Sequence, residues 1–132
     1  WPADVPVAVE IRNKTWLTED FVNCLRRYGA SMVLIQQSWM PPLSDVMRKL
    51  DPVTGPFSYT RLLGDREGIE KITTNWNKIV MDKSDELRRV AHALTELAVK
   101  VPVLAFINNH YAGFGPETAD TLRQFIDEVD IG

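Results

Sequence analysis

Cysteine is almost missing from this sequence: Cys24 is the only one in 132 residues. One thiol excludes an internal disulfide and any cysteine-cluster metal site. Cys24 falls in a segment with helical spacing, where a buried, inert thiol is expected. Long apolar runs are missing too. The longest, such as "MVLI" and "VPVLAFI", fall far short of the roughly 20 residues that cross a bilayer, so no membrane partner is expected. Nothing resembles a secretory leader, and a reducing cytoplasm is the expected location. Basic excess is absent, with 15 Lys and Arg against 18 Asp and Glu, a net charge of −3 and a pI near 5.4. A broad phosphate-neutralising surface, and with it a nucleic-acid partner, is not expected, although a local basic pocket stays open. No triad order, phosphate loop or zinc motif occurs. The first residue is Trp1 rather than methionine, so a piece of a longer chain is expected. What is present is 45% hydrophobic and 25% charged, an ordinary globular composition over a length that fits a single domain or a fragment of one.

The segment "VPVAVEIR", residues 5–12, alternates. Val7, Val9 and Ile11 share one face, and Ala8, Glu10 and Arg12 the other, which predicts a strand. Thr18 then caps a helix with Glu19 and Asp20 in its first turn. Phe21, Leu25 and Tyr28 lie at helical spacing, Arg26 and Arg27 sit near the end, and Gly29 is the stop. "SMVLIQ", residues 31–36, is nearly all apolar, the mark of a strand covered on both faces. A short helix over residues 44–50 precedes a third strand, "FSYTRLLG", residues 57–64, whose Phe57, Tyr59, Arg61 and Leu63 share a face. Ile69, Ile72, Trp76 and Ile79 predict one helix. Ser84 caps another, with Leu87, Val90, Ala91, Leu94, Leu97 and Ala98 as its stripe. "VPVLAFI", residues 101–107, is a fourth strand, apolar on both faces. Gly115-Pro116 opens a last helix that turns Ala119, Leu122, Ile126 and Val129 inward. The alternation predicts an α/β fold of four parallel strands alternating with helices.

Parallel β/α proteins keep their chemistry at the C-terminal ends of the strands. Here that edge receives Glu10, Arg12, Asn13, Lys14 and Trp16 from the first strand, and Gln36, Gln37, Ser38 and Trp39 from the second. The third supplies Arg61, Gly64, Asp65 and Arg66, and the fourth Asn108, Asn109, His110 and Tyr111. Most have a structural reading as well. Glu10 and Arg12 suit a structural ion pair as readily as a ligand site. Arg61, on an otherwise apolar face, either pairs with Glu10 or meets an anionic ligand. His110 caps a loop or moves a proton. Trp16, Trp39 and Trp76 are residue types that pack more often than they bind. His92 lies off its stripe, in solvent.

At "AVEIRNKTW", "YTRLLGDR" and "FINNHYAGFGPETADTL" the chain resembles the YecE-like family, domain of unknown function seventy-two. The resemblance runs over nearly the whole length. It implies a TIM (β/α)8 barrel distantly akin to sugar-isomerase-like barrels, with no assigned reaction. The family's Glu-x-Arg then Trp falls on Glu10, Arg12 and Trp16, its Tyr-x-Arg on Tyr59 and Arg61, and its paired asparagines on Asn108 and Asn109. A histidine that many members place before the glycine is Leu63 here. The segment carrying Trp76 looks like a subgroup feature. These motifs belong to the C-terminal half of longer members, so residues 1–132 correspond to about strands five to eight of a barrel.

The strand-end residues suit a small-molecule protein, either an enzyme, by fold analogy of isomerase or hydrolase type, or a non-catalytic anion binder. Arg12 and Arg61 would hold an anionic or sugar-like ligand, with Trp16, Tyr59, Asn108 and Asn109 around it, and Glu10 or His110 would serve as general acid or base. Phosphodiester chemistry like that of barrel nucleases is a third reading, against which the acidic balance argues. Sugar-isomerase kinship implies a divalent metal, but only Glu10 and Asp65 offer carboxylates. The rest of the ligands would come from the missing N-terminal half. That half, or a second copy of the chain, is the expected macromolecular partner.

Overall fold

A computed structural model describes residues 1–131. Four strands form one all-parallel sheet in the order β1 (Ala8–Val9), β2 (Ser31–Gln37), β3 (Ser58–Gly64) and β4 (Val103–Ile107). Helices α1 (Glu19–Arg27), α2 (Leu43–Lys49), α3 (Arg66–Glu70), α4 (Ser84–Ala98) and α5 (Gly115–Ile131) fill the connections. This is the α/β alternation that the apolar strands and amphipathic helices predict.

Periodicity decides which face of each element is covered. The even-numbered residues of β2 and β3, with Met32, Leu34 and Leu62 at their centre, face the helices. They close a core with Val22 and Leu25 of α1, Leu43 and Val46 of α2, Leu122 and Phe125 of α5, and the α4 stripe Leu87, Val90, Ala91, Leu94 and Leu97. Burying a side chain of this size contributes about 1.5–3 kcal/mol, so this layer carries most of the stability. The opposite, inner face holds a smaller cluster of Val33, Ile35, Met40 and Leu63, against which Ala8, Leu17 and Tyr59 pack. Toward β4 that face is open, with Leu104 47% and Phe106 52% exposed.

Several expectations change. Strand one is expected over residues 5–12, but only Ala8–Val9 pairs. Pro6 has no N–H to donate, and among the described residues nothing pairs with the outer edge of β1. Cys24 is exposed, not buried, because α1 turns Val22 and Leu25 to the core, and Tyr28 is exposed as well. The helix expected to carry Trp76 stops at Glu70. Beyond it the Thr73 hydroxyl donates to the Asn75 carbonyl and accepts from the Asn75 N–H, a local pairing that competes with helix. Ser84 is the first residue of α4 rather than its cap, and the Asp82 carboxylate accepts from both its N–H and its hydroxyl. Strand β4 starts at Val103 and is not covered on both faces. Ala98 and Ala119 are exposed, and Phe125 takes a core position on α5.

Candidate functional site

Glu10 follows the last paired residue of β1, on the inner face. Its two oxygens reach two arginines: Oε1 accepts from Arg12 Nε at 2.7 Å, and Oε2 from Arg61 Nη1 at 2.5 Å. The strand registers explain the reach. Val9 lies beside Met32, while Ile35 lies beside Arg61, so the Glu10–Arg61 bond crosses β2 on the inner face. The Glu10 side chain is 17% exposed, Arg61 35% and Arg12 52%. Burial alone would raise the Glu10 carboxyl. The hydrogen bonds and charges of Arg12 and then Arg61 outweigh it and hold the carboxyl below its ordinary value. Two guanidinium charges against one carboxylate leave the cluster one positive charge in excess. Each arginine has five N–H donors, and most of them remain for another acceptor.

Around Arg61 the inner face is aromatic. Phe106 is its register partner on β4, and Tyr59 stacks on Phe106 with ring centroids 5.0 Å apart. Trp16 ends a 3-10 turn, Lys14–Trp16, separated from Arg12 by Asn13, and is 60% exposed. Asn13 caps that turn by accepting from the Thr15 N–H.

The asparagines serve the backbone. Asn108 Oδ1 accepts from the His110 N–H at 3.2 Å, and Asn109 Oδ1 accepts from the Gly115 N–H at 2.8 Å, which ties down the start of α5. Each keeps its amide NH2 for other partners. His110 is held on three sides: Nδ1 lies 3.0 Å from Asn108 Oδ1, Nε2 lies 3.1 Å from Glu70 Oε1, and the Trp76 ring packs against it at a tilt of 49° with centroids 4.5 Å apart. Glu70 also accepts from Arg66 Nε at 2.9 Å, and these bonds from Arg66 and then His110 hold its carboxyl below the ordinary value. Gly64 makes this corner possible. Its φ is +74°, and a Cβ there would come within 2.6 Å of Tyr111 Cα. Tyr111 is buried without a hydrogen bond to its hydroxyl. That burial, and then the Glu86 carboxylate, push its ionisation up.

Two groups of polar contacts result: the carboxylate-bridged arginines on the inner face, where Arg61 stands in the middle of β3 rather than at its expected end, and the histidine corner at the strand ends between β3 and β4. Sequence reading identifies Glu10, Arg12, Arg61 and His110 as strand-end residues. It misses Glu70, 40 positions from His110, whose only local signal is an i,i+4 pairing with Arg66. Among the described residues no three His, Cys, Asp or Glu side chains converge as a cation site. The two carboxylates singled out for a metal are engaged elsewhere, Glu10 by the arginines and Asp65 as the cap of α3 through the Gly68 N–H. No helix among the described residues is long and apolar enough to cross a membrane.

Known structures share this architecture. A DUF72 family protein from Thermotoga maritima superposes with a TM-score of 0.67 at 22% identity, over 96% of this chain and 47% of its own. A second, from Enterococcus faecalis, does so at 0.58 and 17% identity, over 98% and 50%. The chain therefore spans about half the length of the solved structures it matches. No curated protein matches it. The model of the family described as "Protein of unknown function DUF72" matches residues 1–130, so the chain belongs to that family.

Proposed function

We propose that this chain carries the anion-holding part of a small-molecule site, set over the C-terminal strand ends of a (β/α)8 barrel of which it forms strands five to eight. The observation that carries the reading is the Glu10 bridge. One carboxylate holds two guanidinium groups on the inner face, partly open, with donors to spare and a net positive charge. Guanidinium pairs fixed in this way suit phosphate or carboxylate groups, which accept two parallel N–H bonds. The Tyr59–Phe106 stack and Trp16 would border the ligand, and the free amides of Asn108 and Asn109 would orient it.

In the enzymatic form of the reading, an isomerase or hydrolase, His110 is the better proton carrier. Glu10, held low by two arginines, is a weak base and acts chiefly by positioning them. The chain's own carboxylates do not fit a divalent cation, and no step is drawn through one. The alternative is a binding protein with the same pocket and no turnover. Nuclease-like chemistry gains no support from two arginines in a chain of net charge −3.

The barrel itself is supported by the parallel sheet, the bare inner face at β4 and the half-length match to solved relatives. The occupant proposed for that face is the N-terminal half of the full polypeptide.

Arg61→Ala tests the site. Calorimetric titration with inorganic phosphate should show saturable binding that the variant loses, while its melt shifts by only about 1 kcal/mol, since Arg61 is a third exposed. A variant that binds phosphate unchanged but melts several kcal/mol lower would make the bridge purely structural.

A further inference from the structure

A cavity that no residue of the arginine bridge lines lies between the β1–α1 connection on one side and the β2–α2 connection with α2 on the other, with a volume of about 580 Å³. That is within the range of small-molecule pockets. Its floor is apolar, made by Leu17, Met40, Val46 and Leu50, and Trp39 forms a wall while remaining 55% exposed. Lys14 from the β1–α1 connection and Lys49 from the end of α2 also line it. Neither lysine pairs with a carboxylate among the described residues. The one acid in the lining, Asp45, is engaged by Arg48. The cavity is thus a half-open apolar slot with an indole at its side and two uncompensated ammonium groups.

The walls are fixed rather than loose. The Met40 N–H donates to the Gln37 carbonyl at 3.1 Å, and the Leu43 N–H donates to Gln36 Oε1 at 3.1 Å, so the segment carrying Trp39 is tied at both ends. Two prolines, Pro41 and Pro42, stiffen it further. On the other side the turn that starts at Lys14 is tied by Asn13, which accepts from the Thr15 hydroxyl at 2.7 Å. A wall ordered in advance lowers the entropic cost of binding.

We propose that this cavity is a ligand site in its own right. It takes a small organic anion with a flat apolar body, an aryl phosphate or aryl carboxylate. The ring lies against Trp39 over the apolar floor, and the charged group meets Lys14 and Lys49. A neutral ligand would leave both ammonium groups unanswered, and a bare inorganic anion would leave the floor uncovered.

The test is an NMR titration of the 15N-labelled protein with 1-naphthyl phosphate, 1-naphthoate and neutral 1-naphthalenemethanol. It is read at the Trp39 indole N–H and the amides of Lys14 and Lys49. The expected result is a saturable shift at these three positions, with at least one anion binding more tightly than the alcohol. The double variant Lys14→Gln, Lys49→Gln should weaken the anion by roughly threefold to tenfold and leave the alcohol unchanged. Trp39→Ala should weaken all three, with an unchanged melt to show that the fold is intact. The tighter anion names the ligand class. No saturable shift, equal affinity for anion and alcohol, or shifts confined to the Tyr59–Phe106 face would each overturn the proposal. This proposal does not depend on the anion reading of the arginine bridge: that site is read at Arg12 and Arg61 and this cavity at Trp39 and Lys49, so either can fail while the other stands.

Discussion

Glu10 connects the sequence to the chemistry. Its alternation with Ala8 and Arg12 is legible in "VPVAVEIR", and so is the need of Arg61 for a partner. What the sequence leaves open is whether Arg61 meets Glu10 or a ligand, because the reach across β2 depends on the strand registers. The bridge has a pH signature. The Glu10 carboxyl is held below the ordinary glutamate value of 4.5. Its contribution is therefore full above that value and is lost as pH falls through the lower, folded-state value. Glu10→Gln should cost about 1–2 kcal/mol at neutral pH, with its partners partly solvated. The gap between wild type and variant should shrink in melts taken progressively below pH 4.5. A gap that stays constant down the acid limb would mean that the carboxylate charge contributes nothing. The asparagines show the opposite lesson. Asn108 and Asn109 stand out as a polar pair, but their carbonyl oxygens serve backbone N–H groups, a role that a sequence shows only as a preference for turns.

At the level of elements, strong periodicity is legible and weak periodicity is not. Helix α1 follows from its Thr18 cap and Gly29 stop, and α4 from the spacing of Leu87, Val90, Ala91, Leu94 and Leu97, although its expected cap does not hold. Ile72, Trp76 and Ile79 repeat at helical intervals too, yet no helix forms there, because Thr73 and Asn75 pair locally and Ile72 is 57% exposed. That connection is held instead at two points. Trp76 lies on His110, and the Val80 and Met81 N–H groups donate to the Ala112 carbonyl. His110→Ala should release the first point and spare the second. Hydrogen exchange over residues 71–78 should quicken while Val80 and Met81 stay protected, and the global melt should fall by only about 1 kcal/mol. Uniform protection across the segment would show that the Trp76–His110 contact does not hold it.

On the scale of the molecule, the parallel order and the helical layer are legible from apolar strands alternating with amphipathic helices. The uneven cover of the inner face is not. Val33, Ile35 and Leu63 are buried there under Met40, Ala8, Leu17 and Tyr59, while Leu104 and Phe106 on the edge strand are open, a difference of neighbours rather than composition. Among the described residues both sheet edges are unpaired, and with this aromatic patch they predict association of the 132-residue chain with a second copy when no other half is supplied. Sedimentation should show a dimer at micromolar concentration, and Phe106→Lys should shift it toward monomer. A wild-type chain that stays monomeric and melts cooperatively would contradict the half-barrel account. The central claim is the anion site, and its most direct measurement follows the side-chain Nε–H resonances of Arg12 and Arg61 during titration with inorganic phosphate at constant ionic strength. The account predicts saturable shifts at both arginines, absent from Glu10→Gln, in which the guanidinium groups lose their common anchor. Resonances that do not move at either arginine, or that move only linearly with phosphate, would contradict it.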